Sequence, residues 1–157
     1  MISDCHTAAL VSKHGSIDWL CLPYFDSGTC FAGMLGKAEN GHWSIAPAEP
    51  IRRIRRRYRE GTLVLETEFE TDGGSVKLVD CMTHRGETPN LLRSVTGTQG
   101  QVQMNLELGN SIRLGSVLPW VRRTNYGISA IAGPDMLSLR TQVPLRGRTS
   151  RPLPRSP

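Results

Sequence analysis

No stretch of this 157-residue chain stays apolar for the roughly 20 residues that a helix needs to cross a bilayer. Met1 to His6 also lack the basic-then-apolar order of a secretory signal, so neither a membrane nor export is expected. Cysteine is sparse: Cys5, Cys21, Cys30 and Cys81 form no Cys-x-x-Cys pair, and three of them lie inside apolar runs where a thiol packs as a small hydrophobe. They read as reduced thiols of a cytoplasmic protein. Also missing are a phosphate-cradling Gly loop, a His-Glu-x-x-His zinc helix and a Gly-x-Ser-x-Gly nucleophile elbow. His6, His14, His42 and His84 are scattered beside turns, with no spacing that puts two on one face, so neither a metal nor a cofactor is expected.

The formal charge of +5 invites a nucleic-acid reading, because clustered Arg and Lys neutralise phosphates and release counterions. Its distribution argues otherwise. The tail from Thr141 to Pro157 holds four arginines and no acid, which accounts for four of the five charges and leaves the first 140 residues at +1. That tail also carries four prolines and few aliphatic residues, so it is expected to be disordered, or to mark a shifted or artificial end of the reading frame.

What the chain does have is a succession of short alternating runs separated by turn formers, the spacing of antiparallel strands. Thr7 to Val11 and Ser16 to Leu22 flank His14-Gly15 and predict a first hairpin. Further strands are predicted at 43–46, 51–59, 62–71, 75–82, 91–96, 101–108, 119–123, 127–132 and 136–140. Leu63, Leu65, Thr67 and Phe69 alternate with Val64, Glu66, Glu68 and Glu70, and Asp72-Gly73-Gly74 then turns the chain, so Thr62 to Met82 predicts a β-hairpin. Cys30 to Leu35 is the one helical segment expected, with Ser27 or Thr29 as N-cap and Gly36 as its stop. Strands with one apolar face need a covering layer, so the fold class is all-β, an antiparallel β-sandwich over residues 1–140 with one short helix. Its core is expected from Leu10, Ile17, Leu20, Leu22, Val64, Phe69, Val76, Leu78, Val102, Leu106, Leu137 and Leu139.

Candidate functional residues are few. Glu66, Glu68 and Glu70 share the polar side of one strand and read as a solvated face. Asp18 and Asp26 flank the dense run Trp19-Leu20-Cys21-Leu22-Pro23-Tyr24-Phe25. Carboxylates beside exposed rings grip sugars, the rings meeting C–H faces and the acids taking hydroxyls; the alternative is a core strand followed by an Asp26-Ser27-Gly28 turn. The run from Arg52 to Arg59, basic but for Ile54 and Tyr58, reads as a guarded edge strand in preference to a phosphate-tracking strip.

Taken in order, Ser3-Asp4-Cys5-His6-Thr7-Ala8-Ala9-Leu10-Val11, Gly15-Ser16-Ile17-Asp18-Trp19-Leu20-Cys21-Leu22-Pro23 and Phe25-Asp26-Ser27 resemble the opening of family 15 glycoside hydrolases of the bacterial trehalase-like and glucoamylase-like branch. The likeness continues through 57–69, 79–82, Val117 to Arg123, and Gly133-Pro134-Asp135. Three positions depart from it: His6 and Tyr24 stand where that family usually has Arg, and Gly28 where Pro is common. The resemblance implies a leading β-sandwich that packs on an (α/α)6 barrel, with an inverting mechanism run by two glutamates of that barrel. No position of this chain matches those glutamates, so no catalytic residue is assigned, and the chain reads as a fragment whose partner is the barrel and whose wider substrate class is trehalose or another α-glucoside. The resemblance turns the 19–25 loop toward the barrel; Asp18, Trp19, Tyr24, Phe25 and Asp26, with Pro119 and Trp120, are the candidate sugar- or barrel-facing residues. A free-standing carbohydrate-binding module using Trp19, Tyr24, Phe25 and Trp43 is the alternative, and a nucleic-acid binder a third.

Overall fold

The computed structural model describes residues 1–36, 41–109, 119–132 and 135–145. Their regular structure is antiparallel strand but for one 3₁₀ turn, in two compact units, Met1–Leu118 and Pro119–Pro157. The first unit is a sandwich. One sheet has the order β1 (Ile2–Ser3), β2 (Ala8–Val11), β3 (Ser16–Cys21), β5 (Trp43–Pro47) and β10 (Met104–Leu108), with β4 (Thr29–Phe31) also paired to β3. The other runs β6 (Ile51–Tyr58), β7 (Leu65–Thr71), β8 (Gly74–Met82) and β9 (Leu91–Gly100). The second unit is a meander of β11 (Trp120–Thr124), β12 (Gly127–Ala132) and β13 (Asp135–Arg140).

Period-two patterning explains the core. Leu65, Thr67, Phe69 and Thr71 are buried along β7, and Val76 and Leu78 along β8. Phe69, Val76 and Leu78 meet Ile45 from the opposite sheet, flanked by half-buried Trp43, Ile51, Ile54, Val102, Met104 and Leu106. Ile17, Leu20, Phe69, Val76 and Leu78 are therefore core as expected. Leu10 is only half-buried, because Ala9 and Val11 take the inward positions of β2, and a strand cannot turn neighbours to one face. Leu22 and Val64 lie just outside β3 and β7 and are half-buried. Leu137 and Leu139 are half-buried in the second unit.

The first hairpin forms around the turn expected of it. Gly15 adopts φ +84°, and a Cβ there would collide with the carbonyl oxygen of Ile45. Glycine thus meets both a left-handed backbone and a close approach by β5. The expected helix is corrected: Thr29–Phe31 is strand, Leu20 pairing with Phe31, and Gly33–Leu35 alone makes a single 3₁₀ turn. Pairing to β3 buries Cys30 and Phe31 together, and a helix of six residues is too short to hold its own against that sheet. Gly36 does stop the turn, in the left-handed conformation. Of the proline- and arginine-rich tail, residues 146–157 lie outside the described residues.

The arginine run is an edge strand, since β6 closes one side of its sheet. Antiparallel register sets Arg53, Arg55 and Arg57 opposite Glu70, Glu68 and Glu66. The glutamate row is therefore not simply solvated. Glu66 is 8% exposed and accepts from Arg57 at 2.8 Å and Arg59 at 2.9 Å, while Arg55 reaches Glu70 at 3.0 Å. The two arginines, Arg59 first and then Arg57, hold the Glu66 carboxyl below the usual carboxylate range against an opposing effect of burial.

Candidate functional site

The N-terminal turn is organised by its own side chains. Asp4 Oδ1 accepts from the backbone N–H groups of His6 (3.0 Å) and Thr7 (2.9 Å), and Ser3 Oγ donates to the Thr7 carbonyl at 2.7 Å. Short polar side chains commonly close such turns. Cys5 sits at φ +71° in its middle, a left-handed posture that costs an ordinary residue about 1 kcal/mol. Thr7 Oγ1 then donates to the Cys21 carbonyl at 2.6 Å, fixing the turn to the end of β3.

That anchorage carries the loop that follows β3. The Phe25 N–H donates to the His6 carbonyl at 3.1 Å, the Ser27 N–H to the Tyr24 carbonyl at 3.1 Å, and the Tyr24 N–H to Ser27 Oγ at 3.0 Å. The Tyr24 ring stands edge-on to His6, ring centres 6.3 Å apart. So the two positions that differ from the resembled family's usual arginines touch each other. Tyr24 and Phe25 nevertheless face outward, 53% and 61% exposed, with Asp26 exposed beside them.

Beneath the loop lies a buried ion pair. Asp4 has a fully covered side chain, and its Oδ2 is 2.8 Å from Arg85 Nε, itself 11% exposed. Arg85 Nη2 donates to the Pro23 carbonyl, and its guanidinium carbon sits 5.4 Å from the centre of the Tyr24 ring. Burial by itself raises the Asp4 pKa, but the N–H groups of Thr7 and His6 and the Arg85 charge outweigh it and hold the carboxyl below its usual range.

The other candidates are dispersed. Asp18 on β3 is half-buried and accepts from Ser16 Oγ. Trp19, also half-buried, pairs with Leu10 across the hairpin. Trp43 packs against the core under Arg93, 5.1 Å from guanidinium carbon to ring centre. Trp120, 68% exposed, opens β11 of the second unit. Among the described residues no three His, Cys, Asp or Glu side chains converge as a metal site. Sequence reasoning singled out the rim of the loop, Tyr24, Phe25 and Asp26, but missed Asp4 and Arg85 beneath it. Asp4 had a signal, an acid followed by Thr7 at the spacing of a side-chain-closed turn. Arg85 had none, being one residue in a turn-rich segment.

Fold and site together define a β-sandwich domain: a two-sheet body with an outward-facing aromatic loop after β3. The chain belongs to the trehalase-like N-terminal family, whose model matches residues 1–139. It is 28% identical over 156 residues to a trehalase of Thermoplasma volcanium, covering 96% of this chain and 25% of that protein. A trehalase of Mycolicibacterium smegmatis is 33% identical over 123 residues, 66% of this chain and 18% of that protein. Trehalase 2 of Sulfolobus acidocaldarius is 38% identical over 80 residues, 51% of this chain and 13% of that protein. The chain thus spans a quarter or less of the length of these relatives. No solved structure gives a significant match. Among the described residues, no helix is long and apolar enough to cross a membrane.

Proposed function

We propose that this chain acts as the leading β-domain of a trehalase- or glucoamylase-type glycoside hydrolase. Its task is to pack on a catalytic (α/α)6 barrel and present the Pro23–Asp26 loop to it. The observation that carries this reading is the loop itself: two aromatic rings turned to solvent on a backbone pinned from below by Arg85 and His6. Exposed apolar groups gathered side by side mark interaction surfaces, and Tyr24 and Phe25 are adjacent on this loop. Asp18, Trp19 and Asp26 border the loop in sequence, and Trp120 supplies another exposed ring in the second unit. The glutamates of hydrolysis belong to the barrel, and the reduced thiols fit a cytoplasmic enzyme. Nucleic acid and membrane are not its partners; the substrate of the whole enzyme is trehalose or a related α-glucoside.

The test has two arms. Purified chain incubated with trehalose, maltose or starch should release glucose no faster than buffer, because proton transfer needs the barrel's acid and base. Co-expressed with the barrel of the Thermoplasma volcanium trehalase, it should copurify with it, and a Tyr24→Ser/Phe25→Ser variant should not. Hydrolysis by the chain alone, or copurification indifferent to the loop, overturns the reading. Heat on titrating trehalose or maltooligosaccharides into the chain alone would favour a free-standing carbohydrate-binding module, to which the exposed Tyr24 and Phe25 beside Asp26 are also suited.

A further inference from the structure

We propose that Arg85 is the positioning residue of the 23–27 loop: seated on the Asp4 carboxylate, its guanidinium fixes the Pro23 carbonyl and the face of Tyr24, and so sets the direction in which Tyr24 and Phe25 are presented. This rests on the loop being the presented surface, and adds the device that holds it.

One planar group performs three contacts. Nε lies 2.8 Å from Asp4 Oδ2, Nη2 donates to Pro23, and the guanidinium carbon lies 5.4 Å from the Tyr24 ring centre. Asp4 is held in turn by the two N–H groups that close its own turn, and the carbonyl of His6 within that turn receives the Phe25 N–H. The loop is therefore clamped from both sides by one unit. The Ser3–Thr7 turn holds its backbone at Phe25, and Arg85 holds its backbone at Pro23 and its ring at Tyr24. With both partners covered from solvent, the pair is little screened by salt. A lysine in place of Arg85 keeps the charge beside Asp4, yet an ammonium is a compact point charge. It cannot pair with a carboxylate, reach a carbonyl and lie over a ring from one fork. Geometry, not charge, is what the position requires.

Amide hydrogen exchange on the whole chain separates these. In Arg85→Lys and Arg85→Met, the Phe25 and Ser27 amides should exchange about tenfold faster or more, while those of Phe69, Val76 and Leu78 in the core hairpin stay within about twofold of the parent. Tyr24→Leu, at an exposed position that leaves the ion pair in place, should loosen the same two amides by a smaller factor. Loop amides in Arg85→Lys that match the parent would overturn the proposal, since charge alone would then suffice. Acceleration of loop and core amides together would also overturn it, reducing Arg85 to a general stabiliser. Exchange needs no barrel: a loosened loop with undiminished copurification would sink the docking role of the loop and leave the positioning role of Arg85 standing.

Discussion

Replacing Arg93 by methionine removes a charge that no solvent reaches. Arg93 and Asp80, on neighbouring strands of one sheet, both have side chains with 0% exposure, and Nε meets Oδ1 at 2.8 Å. The remaining donors cross to the other sheet: Nη1 to the Trp43 carbonyl and Nη2 to the Gly15 carbonyl, each at 2.6 Å. Breaking a buried pair by deleting one partner costs about 3–5 kcal/mol, because the survivor is left charged and unmatched. The Trp43 and Gly15 carbonyls also lose a charged donor, although Gly15 keeps the Ile45 N–H at 3.0 Å; a hydrogen bond to a charged group contributes about 1.5–3 kcal/mol, in part overlapping the first cost. Arg93→Met should therefore lower stability by at least about 3 kcal/mol, a large share of the roughly 5–15 kcal/mol of an ordinary domain. Urea unfolding followed by tryptophan fluorescence measures this, with Trp43 beneath the guanidinium as reporter. Adding Asp80→Leu removes the stranded carboxylate and should restore at least about 1 kcal/mol, though not the whole loss, since the two carbonyls still lack their charged donor. An Arg93→Met protein within about 1 kcal/mol of the parent, or a double variant worse than the single, would refute the assignment of Arg93 as the tie between the sheets.

Gly15→Ala should cost about 1–3 kcal/mol, since it meets a left-handed backbone and the Ile45 carbonyl at once, whereas Gly86→Ala, whose Cβ would meet nothing within 4 Å, should stay within about 0.5 kcal/mol; thermal melts of both decide it. Acid should weaken the fold through Asp4 and Glu66, whose folded pKa values are both lowered. A carboxyl that binds its proton less readily when folded adds stability in full above its unfolded pKa of about 4 and loses it as pH falls through the lower folded value. Stability should thus be level from neutrality to about pH 5 and decline below, with a shallower decline in Asp4→Asn; an unchanged slope in that variant would count against the Asp4 pair.

Strand positions were legible because their cause is local. Alternation along Leu65–Thr71 and a glycine where β2 must turn into β3 write the hairpins directly into the sequence; β1 and β4 were not expected as strands, and the others depart from expectation mainly at their ends. Where prediction failed, the cause was tertiary. Cys30 to Leu35 has a helix-compatible composition and a cap to offer, but β3 gave Phe31 a pairing partner in Leu20, and so short a helix does not compete with a sheet edge. Leu10 was assigned inward on hydrophobicity alone, though its smaller neighbours Ala9 and Val11 hold the inward parity.

The same distinction governs the charged residues. The arginines of β6 and the glutamates of β7 each look like a solvated or guarding row when read alone, and joining them takes only a register. In an antiparallel hairpin, two period-two rows on adjoining strands must face each other, so Arg57 and Arg59 converge on Glu66 and Arg55 on Glu68 and Glu70. The net charge of the first 140 residues was already small, and this pairing says where the apparent excess went. Asp4 with Arg85 obeys no such rule, because a turn residue and a loop residue have no periodicity to align them. That pair became visible only when the fold brought the ends of several strands together, and it is also where the loop is held. Residues on the two strands of a hairpin can be matched from the sequence; residues that meet at a loop must wait for the structure.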